Sequence, residues 1–542
     1  MYITTDIHDE VFMLEDIFDG AFADTLKRIF VPCKRVVSEN KCENSKNIPG
    51  NRVIRNFVAS DFEECSVNEG GFLLLDFGKE MSGGVKIVTS VMPGAKIRLR
   101  FGESVSECCG NPNSDHAFHD TELLIPGYAS CDFGNTGFRF VRIDVLSGTL
   151  KLVNVIAICE MTELEKQGTF LSSDERLNAI YETAVHTVHL NIQDYILDGI
   201  KRDRLIWGGD MHPEISAILR VFGAVDAIDK SLELLCFHTK KGAFINNISS
   251  YPLWVLLCIR DLWFYSGRDE VLKKYAPFIE RESAKYVSTV SDDGSFALPG
   301  DSLFLDWPSN SDRELTVAGL QGLLSLALSA ASEMKSALGL DCSAENSAVE
   351  RLKRKVLDSK LHKTASALQH LAKLADRSKV FEHEPFKNVS TFLGYYVLLA
   401  KEPASALELV KTYWGAMLDM GATSFWEDFD LSWIENAVGI DEMPVPGRPD
   451  IHADYGNYCY KGLRHSLCHG WAAGPAAWCS QKILGVTPAA PGFKKIYFTP
   501  DLCQLEWAEG TIPTPYGKIT VKLARGKAPE ITLPEGITIV QE

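Results

Sequence analysis

The densest run of chemically capable side chains is Asp198-Gly199-Ile200-Lys201-Arg202-Asp203-Arg204-Leu205-Ile206-Trp207-Gly208-Gly209-Asp210. Its three aspartates stand 5 and 7 residues apart, a spacing that matches neither a calcium loop nor a phosphate loop. The run follows a good helical pattern, contains three glycines and leads into another helix, so it reads as a loop between helices. Loops on a rigid scaffold are where catalytic groups usually sit. Plain structural roles are open too. Asp210 can cap the helix begun by Met211-His212-Pro213-Glu214, Asp203 can pair with a flanking arginine, and Asp198 can bond turn amides before Gly199. Three further segments carry candidates: Glu427 in Gly421-Ala422-Thr423-Ser424-Phe425-Trp426-Glu427-Asp428-Phe429, Asp306 and Trp307 before Pro308, and His469 in Ser466-Leu467-Cys468-His469-Gly470-Trp471. Alone, a Glu after a Trp or a single His is more often structural than catalytic.

Three stretches of different periodicity must position these segments. From about residue 50 to 160, short runs such as Phe72–Phe77, Val85–Val88, Lys96–Phe101 and Phe138–Val145 are separated by turns such as Pro93-Gly94, which predicts a β-sandwich. From about 170 to 485 the period is helical. Ser172 with Glu175 reads as a capping box opening the stripe Leu177, Ile180, Tyr181, Ala184 and Val188. Further helical stretches cover 254–265, 270–288, 315–333, 345–358, 363–375, 402–419 and 466–484, and around a dozen helices suit a closed double ring. After Pro488 the strand pattern returns at Lys494–Phe498 and Lys518–Leu523. The expected organisation is a multidomain α and β chain: an N-terminal β-sandwich over 1–160, a helical domain over 161–486 and a C-terminal β-sandwich over 487–542.

Composition excludes several classes. The net charge of −17 repels polyphosphates, so no nucleic-acid partner is expected. The fourteen cysteines are too few for a disulfide scaffold at this length and include no C-x-x-C pair, so zinc spacing is absent. Scattered thiols in apolar runs fit a reducing compartment. Met1–Asp6 has neither a basic start nor an apolar core, and no segment approaches the ~20 apolar residues of a spanning helix. A cytoplasmic location without membrane or cofactor is therefore expected, and assembly as a homodimer is compatible with the sequence. All ten tryptophans lie between Trp207 and Trp507. Aromatic faces pack on the C–H faces of sugars, although core packing explains many such residues.

Together the four segments resemble the bacterial α-L-rhamnosidases of glycoside hydrolase family 78. The likeness extends to Leu75-Asp76-Phe77-Gly78-Lys79-Glu80, Gly83-Gly84 and Arg100-Phe101-Gly102-Glu103, similar to the β-domain before the catalytic domain of that family. Pro491-Gly492-Phe493-Lys494-Lys495 and Pro513-Thr514-Pro515-Tyr516-Gly517 are similar to its C-terminal β-sandwich. The resemblance implies a catalytic (α/α)6 barrel and hydrolysis with inversion. It places the general acid at Asp203, the general base at Glu427, and sugar contacts at Asp198, Arg202, Trp207, Asp210, Asp306, Trp307 and His469. Two departures stand out: Gly199-Ile200 replaces the usual Cys-Pro, and Asp203 replaces a glutamate. The shorter side chain sets the proton donor back by about 1.5 Å, and a misplacement of that size can cost on the order of 10²-fold in rate.

Inverting hydrolysis needs one protonated and one ionised carboxyl roughly 6.5–9.5 Å apart. The carboxylates of Asp198, Asp210, Asp306 and Glu427 would help an acid keep its proton by mutual repulsion, and Arg202 would temper the cluster. The expected partner is a small carbohydrate, with no metal. Two other readings stay open: a glycosidase of the same fold acting on another sugar, and a catalytically weak sugar-binding relative.

Overall fold

The computed structural model describes residues 24–55, 64–90, 94–110, 120–240, 242–300, 302–456 and 460–540. The readings of Met1–Asp6 and of Pro93 fall outside these residues.

Strands Leu26–Pro32, Arg35–Glu43, Cys65–Thr89, Ala95–Gly102, Asp120–Ile125, Ser130–Ser147 and Thr149–Thr162 form one seven-stranded sheet. The runs expected at 72–77, 85–88, 96–101 and 138–145 all lie within these strands. Cys65–Thr89 is long enough to bend, and its register against Ser130–Ser147 breaks between Asp76 and Met81. Leu152 partners both Cys65 and Thr89, so the two ends of that strand flank one neighbour and the sheet curls over itself. Alternating apolar positions then meet inside: Leu73, Leu75, Val85, Ile87, Ile97, Leu99 and Ile143 are all buried in one cluster. Ile200 and Cys468, from two of the chemically capable segments, are buried in this same cluster. The β-domain core thus anchors the helical domain's loops.

The helical domain runs from Glu175 to Ile483 around one continuous core. Its first helix, Glu175–Asn191, is capped by Asp174, whose side chain accepts from Leu177 N, and not by the expected Ser172. Ser172 is drawn away by Asn178, to whose Oδ1 it donates. Tyr251–Ser266 is apolar around its circumference and almost wholly buried. It ends at Gly267, whose φ of 66° closes the last turn through a bond to Trp263 O. Arg313–Ala337 starts at an Asp312 cap and carries Gly319 and Gly322 where Leu305 and the backbone of Lys363–Leu371 approach too closely for any Cβ. That close packing fixes the segment leading to Asp306.

Arg313–Ala337 also corrects an expectation from sequence. It is long and apolar enough to cross a membrane, but 83% of its most apolar stretch is buried inside the protein. Its apolarity belongs to a core helix.

The C-terminal strands form two small sheets. One pairs Val486–Pro488, Lys495–Phe498 and Thr538–Ile539. The other pairs Trp507–Thr514, Gly517–Ala524 and Glu530–Thr532 with Thr169–Ser172, contributed from just before the first helix.

Candidate active site

The loop after Glu175–Asn191 is closed on itself. Asp198 N donates to Leu205 O at 3.1 Å, and Leu205 N donates to Asp198 Oδ1 at 2.9 Å. Within it Asp203 and Arg204 both adopt left-handed backbone, with φ of 55° and 50°, a conformation that costs a non-glycine residue roughly 1 kcal/mol or more. Ile200 plugs one side of this loop into the β-domain core, and Lys201 ties down the next position. The Lys201 ammonium lies 2.9 Å from Glu103 and 3.0 Å from Glu107, and it donates to the carbonyls of Leu463 and His465.

Backbone bonds then stitch the remaining segments to it. Glu427 N donates to Ser466 O, His469 N to Phe425 O, and Gly470 N to Asp198 O, at 2.8–3.0 Å. Residues far apart in sequence are held as one rigid floor. The Glu427 carboxyl is only 3% exposed. It accepts from Ser466 N at 3.2 Å and pairs with the Arg202 guanidinium. The other arm of that guanidinium lies 3.8 Å from Asp203, whose side chain is 31% exposed. Asp203 does not pair with Arg204, which reaches away to Asn135.

Asp198, Asp203, Trp207, Asp210, Trp307, Glu427 and His469 line one cavity, joined by Ile248, Tyr251, Leu303, Phe304, Tyr460 and Trp471 among others. Its volume is about 380 Å³, within the usual range for small-molecule sites. Arg202 and Asp306 are set back from this lining. Arg202 is drawn behind the wall by Glu427 and by the Arg464 carbonyl. Asp306 is buried and accepts from the Ser390 hydroxyl at 2.6 Å.

Asp210 precedes helix Met211–Val221, but its side chain makes no capping bond to it. It faces the cavity instead, with Tyr251 Oη 3.4 Å from its carboxyl. The His469 ring sits between Asp198 and Asp210, its Nε2 3.9 Å from each carboxyl. Burial, then the nearby Arg202 charge, pushes the His469 imidazole well below its usual value, so it is neutral. Burial followed by like-charge repulsion holds Asp198 and Asp210 well above the ordinary carboxyl range. Asp306 is pushed up to about 7 by burial, against the opposing Ser390 bond. A cavity of this kind offers proton-holding carboxyls, one arginine-paired carboxylate and aromatic walls.

Several participants carry no sequence signal that marked them. Tyr460 lies in an unremarkable tyrosine-rich stretch, and Tyr251 opens an apolar helix. Glu214 is wholly buried, with no hydrogen-bond partner for either oxygen among the described residues, and packs against Gly470. Burial, then Asp210 and Asp198, raises it well above the usual value. Glu103, Glu107 and His452 lie close enough together to hold a cation, but the Lys201 ammonium already contacts both carboxylates of that group.

An acid-lined cavity at loops of a helical domain, braced by β-domains before and after it, is the build of a six-hairpin glycosidase. Sequence profiles agree in the same order along the chain. Residues 67–160 match the concanavalin-like domain of bacterial α-L-rhamnosidases, 165–340 their six-hairpin glycosidase domain, and 485–536 their C-terminal domain. The chain belongs to the bacterial α-L-rhamnosidase family. A protein of Alteromonas sp. (strain LOR) named α-L-rhamnosidase is 24% identical over 511 residues, covering 83% of this chain and 53% of its own length. The chain thus spans about half of that relative. The family 78 rhamnosidase of Bacillus sp. GL1 superposes with a TM-score of 0.69 at 20% identity, over 92% of this chain and 56% of that one. A rhamnosidase from Klebsiella oxytoca solved with rhamnose bound gives 0.67 at 19% identity, over 84% of this chain and 96% of that one. The central domain is therefore a six-hairpin (α/α)6 barrel, as the sequence resemblance implied.

Proposed function

We propose that this protein is an inverting exo-acting α-L-rhamnosidase, with Asp203 as general acid and Glu427 as general base. The observation that carries this reading is Arg202, whose guanidinium contacts both carboxyls. One guanidinium spanning the pair suits the roughly 6.5–9.5 Å at which inverting carboxyls operate around a water. The arginine pairing favours ionised Glu427, the state a base needs to take a proton from that water. The partial exposure of Asp203 supports assigning it to the leaving-group side. Asp198, Asp210 and neutral His469 supply acceptors and donors for sugar hydroxyls, while Trp207 and Trp307 offer aromatic faces to the ring. Ile248, Leu303 and Phe304 add an apolar wall suited to the methyl group of a 6-deoxy sugar. The rhamnose and rhamnosidase names of the relatives support the same choice of sugar.

The test is hydrolysis of 4-nitrophenyl α-L-rhamnoside, with proton NMR of the first-formed sugar. Release of β-L-rhamnose, and a loss of about 10²–10⁴-fold in Asp203→Asn and in Glu427→Gln, is the expected result. Wild-type rates in either folded variant remove that residue from the mechanism, and first-formed α-L-rhamnose excludes inversion.

A further inference from the structure

We propose that Tyr460 is a second catalytic residue on the acid side, relaying the proton from Asp203 to the departing glycosidic oxygen. The inference rests on the rhamnosidase reading above and extends it. Tyr460 lines the same cavity as Asp203 and Glu427. Its hydroxyl lies 3.4 Å from Asp203 Oδ1 and 3.3 Å from Oδ2, so it covers both oxygens of the carboxyl. Asp203 has the shortest acidic side chain and sits on a left-handed turn just after Ile200 and Lys201, which are anchored in the β-domain. The phenol hydroxyl stands beside that carboxyl in the same cavity.

The ring's surroundings fit such a role. The Arg202 guanidinium lies 3.5 Å from the Tyr460 ring centre, and that of Arg464 lies 4.4 Å from it. Two cations against one ring stabilise the negative charge that the phenol oxygen gains as its proton leaves. A hydroxyl both donates and accepts, so Tyr460 can accept from protonated Asp203 while donating outward.

The step balances. The phenol O–H bond breaks and its proton joins the glycosidic oxygen, while the bond from that oxygen to the anomeric carbon breaks and leaves its electron pair on oxygen. The Asp203 carboxyl proton passes to the phenol oxygen, restoring Tyr460 and leaving Asp203 ionised. The oxygen of the attacking water bonds to the anomeric carbon, Glu427 accepts the proton that water loses, and Glu427 releases that proton to solvent when the products leave. Solvent returns a proton to Asp203, whose partial exposure allows it.

The experiment compares kcat/KM for wild type, Tyr460→Phe and Tyr460→Phe/Asp203→Glu on two substrates. Methyl α-L-rhamnoside needs a proton on its leaving group, whereas the 2,4-dinitrophenyl α-L-rhamnoside does not. Tyr460→Phe should lose about 10²-fold or more on the methyl glycoside, and at least tenfold less on the dinitrophenyl one. Adding Asp203→Glu should recover at least about tenfold on the methyl glycoside, because the longer carboxyl reaches the oxygen directly. A proton inventory in mixed H2O and D2O should bow for wild type, with two acid-side protons in flight, and be straighter for the double variant. Equal losses on both substrates, or a wild-type inventory no more bowed than that of the double variant, overturn the relay alone. A folded wild type inactive on both substrates overturns the rhamnosidase reading, and the relay with it. If the phenylalanine variants fail to fold, a straight wild-type inventory on the methyl glycoside still overturns the relay, because two acid-side protons in flight require a bow.

Discussion

Arg202 and Glu427 form a buried ion pair across 225 positions of sequence. The pair couples the loop that carries Asp203 to the loop that carries the base, so one substitution should disturb both stability and proton chemistry. Removing one partner of a buried pair leaves the other charge unpaired, at a cost of about 3–5 kcal/mol. Arg202→Met should lower the unfolding free energy by that order in urea titrations. It should also move the acidic limb of the kcat/KM profile to higher pH, because Glu427 loses the charge that favours its ionised form. An unmoved acidic limb in a folded variant would show that the arginine does not set the state of the base.

Lys201 holds the other end of the same loop, against Glu103 and Glu107 of the β-domain. Burial raises Glu107 to about 7, with the Lys201 charge opposing that shift. Because this is above the ordinary value near 4.5, the folded protein holds a proton that the unfolded chain releases, so stability falls as pH rises from there towards 7. Lys201→Met lets the carboxyl climb further, and the destabilising window extends above pH 7. The expected loss relative to wild type is about 3–5 kcal/mol at pH 8 and smaller near pH 5. Denaturant midpoints at the two pH values measure it.

Asp306 gives a cleaner pH signature. Its carboxyl is raised from 3.8 to about 7 by burial. The stability this proton contributes is present below the unfolded value and lost as pH rises to the folded one, with a slope of up to about 1.4 kcal/mol per pH unit. Asn in its place still accepts from Ser390 but does not titrate. Asp306→Asn should therefore flatten the fall in stability between pH 4 and 7, and its advantage over wild type should be largest at pH 8. An unchanged slope would falsify the assignment of that titration to Asp306.

Gly470 leaves no room for a side chain, since a Cβ there collides with the Glu214 carboxyl. Its N–H also holds the Asp198 carbonyl at 2.8 Å. Gly470→Ala should cost about 1–3 kcal/mol through overpacking, with a fall in kcat as the Asp198 segment shifts. Thermal unfolding and steady-state kinetics on one rhamnoside check both effects.

A chelator should leave activity untouched. The carboxylates able to gather around a cation at Glu103 and Glu107 are already bonded to the Lys201 ammonium, and Asp198 and Asp210 in the cavity are held towards their protonated forms by burial. Dialysis against EDTA followed by assay should retain full rate, and a loss restored by calcium would show a metal in the mechanism.

Much of this architecture was legible in the residues. Period-two runs marked the strands of the N-terminal sheet, and the i, i+3, i+4 stripe at Leu177–Val188 marked the first helix, because both patterns record which face meets a core. The aspartate-rich loop stood out because a buried fold gains nothing from three acids among glycines. Caps were less secure: Asp174 and Ser172 are equally competent by type, and only Asn178 decides between them. The apolarity of Arg313–Ala337 is ambiguous in sequence, since composition does not say whether lipid or protein surrounds a helix.

By itself, then, the sequence determined the order of β, α and β regions, the acids that could act and the loops that bear them. Side-chain type and periodicity are local properties, and local physics suffices to read them. Tertiary structure alone decided that Arg202 and Asp306 stand behind the cavity wall, that Lys201 is neutralised by the β-domain, and that Tyr460 covers Asp203. Those relationships depend on distances between segments 84 to 257 residues apart, which close only in the packed tertiary structure.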